Sequence, residues 1–321
     1  MNFILPSSSF QRGDFPMTKK AVLILAYGSP ESVDGMECYL SDIRGGRPMS
    51  KEFVEEFRHR YSLIGGKSPL TELTFEQARQ TGAELQRRGY DWPVYVGMRH
   101  WSPWIKDTVA QMHLNGVDEA VALVMAPHYS KMSIGKYWDR VNEAQTALGS
   151  SIKFKMVNSW YRQPKFLQAV EHHIRAAFEK FPPEVRDQVK LVFSAHSLPA
   201  RLLKMGDPYD TELKDNARII AERLGNVDWM FSYQSAAETG EPWLGPQIEE
   251  VVVDLAGQGY RHMLVAPIGF VCDHVEILYD IDIEAKQLAQ EHDLQLERIE
   301  SMNTAPLFIE AVVDAILEAA Q

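Results

Sequence analysis

Two stretches of this chain repeat each other, and the repeat limits the fold more than any other feature. "PWIKDTVAQMHLNGVDEAVALVMAPH", residues 103–128, matches "PWLGPQIEEVVVDLAGQGYRHMLVAPIG", residues 242–269. Each runs Pro-Trp, a segment of helical period, a glycine turn, an apolar strand and then Ala-Pro. A second pair, "VLILAYGSP" and "VKLVFSAHSLP", reads in both halves as a strand ending in a short polar turn. A helix-turn-strand unit used twice must be packed twice in a similar way. We therefore expect an α/β chain of two similar lobes joined near residue 160. The expected divisions are a disordered leader at 1–19, with Met17 as an alternative start, a first lobe at 20–159 and a second at 160–321. The last helix, Pro306 to Gln321, is free to cross back onto the first lobe.

The remaining apolar runs, among them "VYVGM", "IKFKMVNS", "WMFSYQS" and "LQLERIES", alternate with helical segments. Their continuous apolar character predicts parallel sheets covered on both faces. Pro164 to Phe181 fits a covering helix, with Phe166, Leu167, Val170, Ile174, Ala177 and Phe178 on one stripe. In open parallel sheets ligands bind beyond the carboxyl ends of the strands, and two lobes add a cleft between them. The polar turns after the strands are thus the places to search for chemistry.

Several function classes are excluded at this point. A net charge of −11 opposes a nucleic-acid surface, which needs clustered cations to displace counterions. No apolar run reaches the roughly 18 to 20 residues of a membrane span. Met1 to Lys20 carries too short an apolar segment for a secretory signal. Two cysteines, Cys38 and Cys272, build neither a disulfide framework nor a four-cysteine metal or iron-sulfur site, which fits a reducing cytoplasm.

Three features remain. "FSAHSLP" sets His196 just after a strand. "GFVCDHVEILYDIDIEAK", Gly269 to Lys286, gathers carboxylates in the corresponding turn. A helix beginning near Asp273 would align Glu276, Asp280 and Glu284 at i, i+4 and i+8. Such like charges repel, yet Val271, Val275, Ile277, Leu278, Ile281 and Ile283 surround them and argue against a freely exposed face. Carboxylates in line beside a sheet terminus suit a track for cations or protons. One imidazole and one carboxylate are acceptable ligands for Fe(II) or Zn(II) but cannot cage either ion, so they fit a metal that is held and then released. The third feature is "LAYGSP", which places Tyr27 at the equivalent turn of the first half. Tyr39, Trp101, Trp104, Tyr129, Tyr137 and Trp138 follow, enough to wall a flat aromatic ligand as well as to fill a core. Arg44, Arg47, Arg58 and Arg60 form the one locally basic region and suit carboxylates. "GGKSP" at Gly65 to Pro69 lacks the first glycine of a phosphate loop.

Together these segments resemble the ferrochelatases, which insert ferrous iron into a porphyrin. The likeness runs from Lys20 to the C-terminus through "AYGSP", "YSLIGGKSPL", "APHYS", "SAHSLP", "DPY", "YQS", "PWLGP" and "GFVCDHVEILYD". The resemblance implies two Rossmann-like lobes, a cleft for the tetrapyrrole, and catalysis and metal binding by His196 and Glu276. It implies that Tyr27 ligates iron axially on the other face of the product. It also implies porphyrin contacts from Tyr27, Arg44, Arg60, Tyr61, Ser68 and Tyr137, with Asp280 and Glu284 on the metal or proton path. Tyr27 makes the chain most similar to the Gram-positive enzymes that metallate coproporphyrin III, giving coprohaem in haem biosynthesis. Gly45 departs from relatives that carry a second arginine after Arg44. The expected protein is a cytoplasmic, monomeric lyase that needs no cofactor and has neither an iron-sulfur cluster nor stable membrane insertion. Fe(II) is its substrate, Zn(II) is accepted in vitro, and contacts with neighbouring haem-pathway enzymes are transient. The alternatives are a protoporphyrin IX ferrochelatase, a cobalt chelatase with a ligand set richer in histidine, and a non-catalytic tetrapyrrole carrier.

Overall fold

The structure, a computed structural model, describes residues 18–225, 227–237 and 239–321. Of the expected leader, residues 1–17 and the alternative start at Met17 lie outside the described residues. The strands are β1 (Lys20–Ala26), β2 (Val94–Met98), β3 (Glu119–Val124), β4 (Lys153–Val157), β5 (Lys190–His196), β6 (Trp229–Gln234), β7 (His262–Pro267) and β8 (Gln295–Arg298). The helices of the first half are α1 (Met36–Ile43), α2 (Lys51–Leu63), α3 (Leu70–Arg87), α4 (Ile105–Leu114) and α5 (Ile134–Leu148). Those of the second are α6 (Pro164–Phe178), α7 (Arg201–Lys204), α8 (Tyr209–Leu224), α9 (Ile248–Gly257), α10 (Val275–Leu278), α11 (Lys286–Glu291) and α12 (Pro306–Ala320).

Two four-stranded sheets form, ordered β2-β1-β3-β4 and β6-β5-β7-β8, and every pairing is parallel. The second order is the first displaced by four strands, so the repeated segments occupy equivalent places. "VLILAYGSP" holds β1 and "VKLVFSAHSLP" holds β5, while the longer pair forms α4–β3 and α9–β7. The strands read as continuous apolar runs because both faces are covered. In β1, Ala21, Leu23 and Leu25 pack against α4 and α5 residues such as Val109 and Val141. Val22 and Ile24 face the opposite way, into a core shared with Phe166, Phe193, Leu264, Phe308 and Val312.

That shared core lies between the two sheets and contains residues of α3, α6, α8 and α12. The outer face of the second sheet is covered by α9 and the segment around Ile281, Ala285 and Ala289. The last helix does cross back: α12 packs on α3, α6, β3 and β4. Its Phe308, Ile309, Val312, Val313 and Ile316 are all buried, and each contributes about 1.5–3 kcal/mol by leaving water. The covering helix α6 ends at Phe178, three residues short of the expected Phe181.

Between β1 and α3 the first half carries an addition, α1 and α2, for which the second half has only the single turn α7. Met36, Tyr39, Leu40, Val54 and Tyr61 give this addition its own small core, and Val275 of the second half packs against it. The addition therefore bridges the two halves at the carboxyl ends of the strands.

Candidate functional site

His196 ends β5 and Glu276 lies in the first turn of α10, which follows β7. The turn between β7 and α10 passes so close to β5 that a side chain is excluded: a Cβ on Gly269 would stand 2.5 Å from Ala195 Cβ. Buried polar bonds fix the rest. Ser194 Oγ donates to Gln234 Oε1 at 2.8 Å, and Gln234 Nε2 donates to the Glu276 carbonyl at 3.1 Å. Tyr209 donates to the His196 carbonyl at 3.0 Å.

The result is His196 Nε2 at 3.5 Å from Glu276 Oε1. His274, the N-cap of α10, places its own Nε2 at 3.6 Å from Glu276 Oε2. The Nδ1–H of His196 donates to the Ser197 carbonyl, and that of His274 to the Cys272 carbonyl at 3.0 Å. With Nδ1 committed as donor in both rings, both Nε2 atoms turn toward one carboxylate. Three electron-rich groups then converge on a space where only a cation or a proton relieves their repulsion. Among the described residues no set of three or more His, Cys, Asp or Glu side chains forms a cage for an ion. The arrangement is a grip rather than an enclosure. Burial would push the Glu276 carboxyl up, but His196 and His274 when protonated at Nε2, helped by Arg60, hold it at about 2. Phe270 lies 4.5 Å from the His274 ring and 6.4 Å from His196, and Trp243 is 6.4 Å from His196.

The acidic stretch separates into two groups. Asp273 and Asp282 both pair with Arg298, at 3.4 and 2.8 Å, and Asp273 also accepts from Ser301 and Asn303. They pin the loop. Glu276, Asp280 and Glu284 are left as a row. The expected continuous α-helix is corrected here: α10 has one turn, residues 280–285 form a π-helical segment, and α11 follows. Glu284 N bonds to Tyr279 O, five residues back, at 2.9 Å. Four residues overshoot a full turn of α-helix, so an α-helical row would drift around the axis. The wider turn reduces that drift, as π-bulges at functional sites commonly do. Asp280 is buried, and its carboxyl is pushed up to about 7, first by burial and then by the Glu276 charge, against the Ser235 hydroxyl and Arg60. Glu284 is half-buried.

At the corresponding strand ends of the first half, the backbone of Arg99 and His100 bonds to Ala26 and Tyr27. Tyr27 at the end of β1 is 37% exposed, and Glu276 is close enough for its charge to raise the phenol. The tyrosine thus lies within electrostatic reach of the Glu276 carboxylate. His100, 4.5 Å from the Tyr27 ring, shares its Nδ1 proton with Asp42 at 2.7 Å. Burial holds its pKa down near 4.

The other residues singled out from sequence lie in varied settings. Arg44 rests over Phe53 at 5.3 Å, half-buried, with its Nε unpartnered. Arg60 reaches from α2 to Asp280 at 4.0 Å, pairs with Glu56 at 2.6 Å and leaves Nε unpartnered. Tyr61, Ser68 and Tyr137 are 1%, 3% and 4% exposed. They stand behind the surface: Tyr61 meets Ser29 at 3.3 Å, and Ser68 Oγ accepts from Leu70 N at 3.3 Å. Gly45 has φ of +63° and closes α1, with Gly46 N bonded to Ser41 O at 2.8 Å. An arginine there would be strained. Sequence reasoning assigned no role to His274 or Arg99. The adjacency of His274 to Glu276 was the available signal for one, and the strand-end position after "VYVGM" for the other.

The ferrochelatase sequence-family model matches residues 19–320. A protein named ferrochelatase from Herpetosiphon aurantiacus is 48% identical, covering 91% of this chain and 96% of its own. The coproporphyrin III ferrochelatase of Geobacillus thermodenitrificans is 42% identical, covering 94% and 97%. Among solved structures, the sirohydrochlorin chelatase SirB of Bacillus subtilis subspecies spizizenii, in complex with cobalt, superposes with a TM-score of 0.53. It covers 94% of this chain and 95% of its own at 11% identity, a likeness of fold alone.

Proposed function

The chain belongs to the ferrochelatase family, a family of lyases that insert Fe(II) into a porphyrin, and we propose that its porphyrin is coproporphyrin III. The observation that carries the site assignment is the convergence of His196 and His274 Nε2 on the Glu276 carboxylate, at 3.5 and 3.6 Å. Metallation exchanges two pyrrole protons for one divalent ion, so a site must offer both a loose ligand and a base. A carboxyl group held at about 2 is a poor proton acceptor and a good cation ligand. Glu276 therefore takes the metal, whose arrival displaces the proton between it and His196, and His196, left neutral, takes the first pyrrole proton on Nε2. Asp280, poised near neutrality, passes protons outward, with Glu284 next in the row.

A free-base porphyrin offers no vacant set of four lone pairs in its plane, so the ring must be bent for the ion to enter. Binding energy from its periphery sustains that strain. The choice of coproporphyrin rests on Tyr27, which lies within reach of the Glu276 charge and would ligate product iron axially. It rests also on Arg44 and Arg60, half-buried guanidinium groups whose planar charge suits propionates. No cofactor takes part in this scheme. Both cysteines are unpaired, as a reducing cytoplasm leaves them, and no described helix is long and apolar enough to cross a membrane. The protein acts as a monomer that meets neighbouring haem-pathway enzymes transiently.

The test is anaerobic incubation of the purified protein with ferrous iron and either coproporphyrin III or protoporphyrin IX. We expect kcat/KM for coproporphyrin to be at least about tenfold higher, the gain of one charge-assisted carboxylate contact. Equal values would overturn the coproporphyrin assignment. Insertion into neither porphyrin would overturn the chelatase reading itself.

A further inference from the structure

One cation in the cleft has no task in the scheme above. Arg99 follows β2, and its guanidinium lies 5.9 Å from the Tyr27 ring centre and 5.6 Å from that of Tyr137. Among the described residues no carboxylate comes within the 4.0 Å of an ion pair with it. Asp42, the acid of this neighbourhood, is committed to His100 at 2.7 Å. The charge of Arg99 is therefore not neutralised locally. It is braced by two aromatic faces, which fix a guanidinium without cancelling its charge.

The two walls of the cleft thus differ in sign. The second-lobe wall presents the Glu276 and Glu284 carboxyl groups, with Asp280 buried between them, and the first-lobe wall presents Arg99 beside Tyr27. Tyr27 is the part-exposed oxygen-bearing side chain on that wall left without a partner charge, since Asp42 is engaged by His100. We propose that Arg99 makes metal entry one-sided: its charge repels a free divalent cation from the Tyr27 wall, leaving the carboxylate row as the approach. This rests on the reading of the cleft as the chelation site, with Tyr27 and Glu276 on opposite faces of the macrocycle. Arg99 acts on the ion through space and is a positioning residue, not a catalytic one. Its benefit is that Tyr27 stays open until iron arrives through the ring, already neutralised by the porphyrin dianion and so no longer repelled.

Zn(II) alone, titrated calorimetrically into the porphyrin-free full chain, tests this without any turnover. Arg99→Met keeps bulk and removes the charge. It should bind Zn(II) at an additional site, or about tenfold more tightly, as Coulomb's law gives for a divalent ion about 7 Å from one charge at water-like screening. Adding Tyr27→Phe should abolish the gain, and Arg99→Lys should titrate like the wild type. If Arg99→Met does not fold, as judged by its thermal midpoint, Arg99→Gln takes its place. A neutral variant that titrates like the wild type overturns the proposal, and so does a gain that survives loss of the Tyr27 hydroxyl. Failure here with normal iron insertion by the wild type would leave the ferrochelatase reading standing. Absence of insertion in both porphyrin assays would remove that reading instead.

Discussion

Asp280→Asn isolates the most strongly perturbed carboxylate of the row. The Asp280 side chain is 8% exposed, and its carboxyl is raised from 3.8 to about 7. Burial is the chief cause and the Glu276 charge the second, with Ser235 and Arg60 opposing. Between those two values the folded protein retains a proton that the unfolded chain has released. Stability therefore falls as pH rises from about 4 to about 7 and stays at its lower level above that. Each unit corresponds to about 1.36 kcal/mol, so the interval from pH 5 to pH 7 removes roughly 2–3 kcal/mol. Asparagine fills the same space and does not titrate. Relative to the wild type, the variant should gain roughly 2–3 kcal/mol between pH 5 and pH 8, measured by urea unfolding at each pH. The pH–rate profile should also lose an ionisation near neutrality. A stability difference of equal size at pH 5 and pH 8 would refute the assignment of a neutral, buried carboxyl group.

Three further substitutions probe the site and its support. His196→Ala should abolish iron insertion, a loss of 10³-fold or more, while fluorescence titration shows porphyrin binding within about threefold of the wild type; turnover near normal would defeat the base assignment. Glu284→Gln should raise the apparent KM for iron several-fold and leave that for porphyrin unchanged, whereas unaltered iron dependence would make the row structural. Gly269→Ala places a methyl 2.5 Å from Ala195 Cβ; it should cost about 1–3 kcal/mol in urea unfolding and lower kcat more than porphyrin affinity, since the turn carries Glu276 toward His196.

The doubled sheet was legible because each strand is an apolar run covered on both faces, and because Pro-Trp and Ala-Pro mark equivalent ends in both halves. The crossing of α12 was legible only as an open option. Its stripe of Phe308, Ile309, Val312 and Ile316 shows that one face is buried, but periodicity does not say against which neighbour. The carboxylate row was readable as spacing, whereas its π-helical turn was not, since a single hydrogen bond five residues back leaves no compositional mark. Nor did the sequence divide the acidic residues. Asp273 and Asp282 are removed from the row by Arg298, a partner distant along the chain that only the folded loop brings near. Tyr61, Ser68 and Tyr137 sit behind the surface for a related reason, because a motif identifies a neighbourhood and not which atoms face the cavity.

The placement of α12 has a consequence for how the protein is made. The first sheet is complete once Val157 has been synthesised, yet the face that α12 shields, next to α3 and α6, stays bare until the ribosome has added residues beyond Pro306. A nascent chain arrested anywhere between should hold a formed but sticky first half, open to chaperones and proteases. Closure of that face then waits on α12, the last of the described helices to be synthesised.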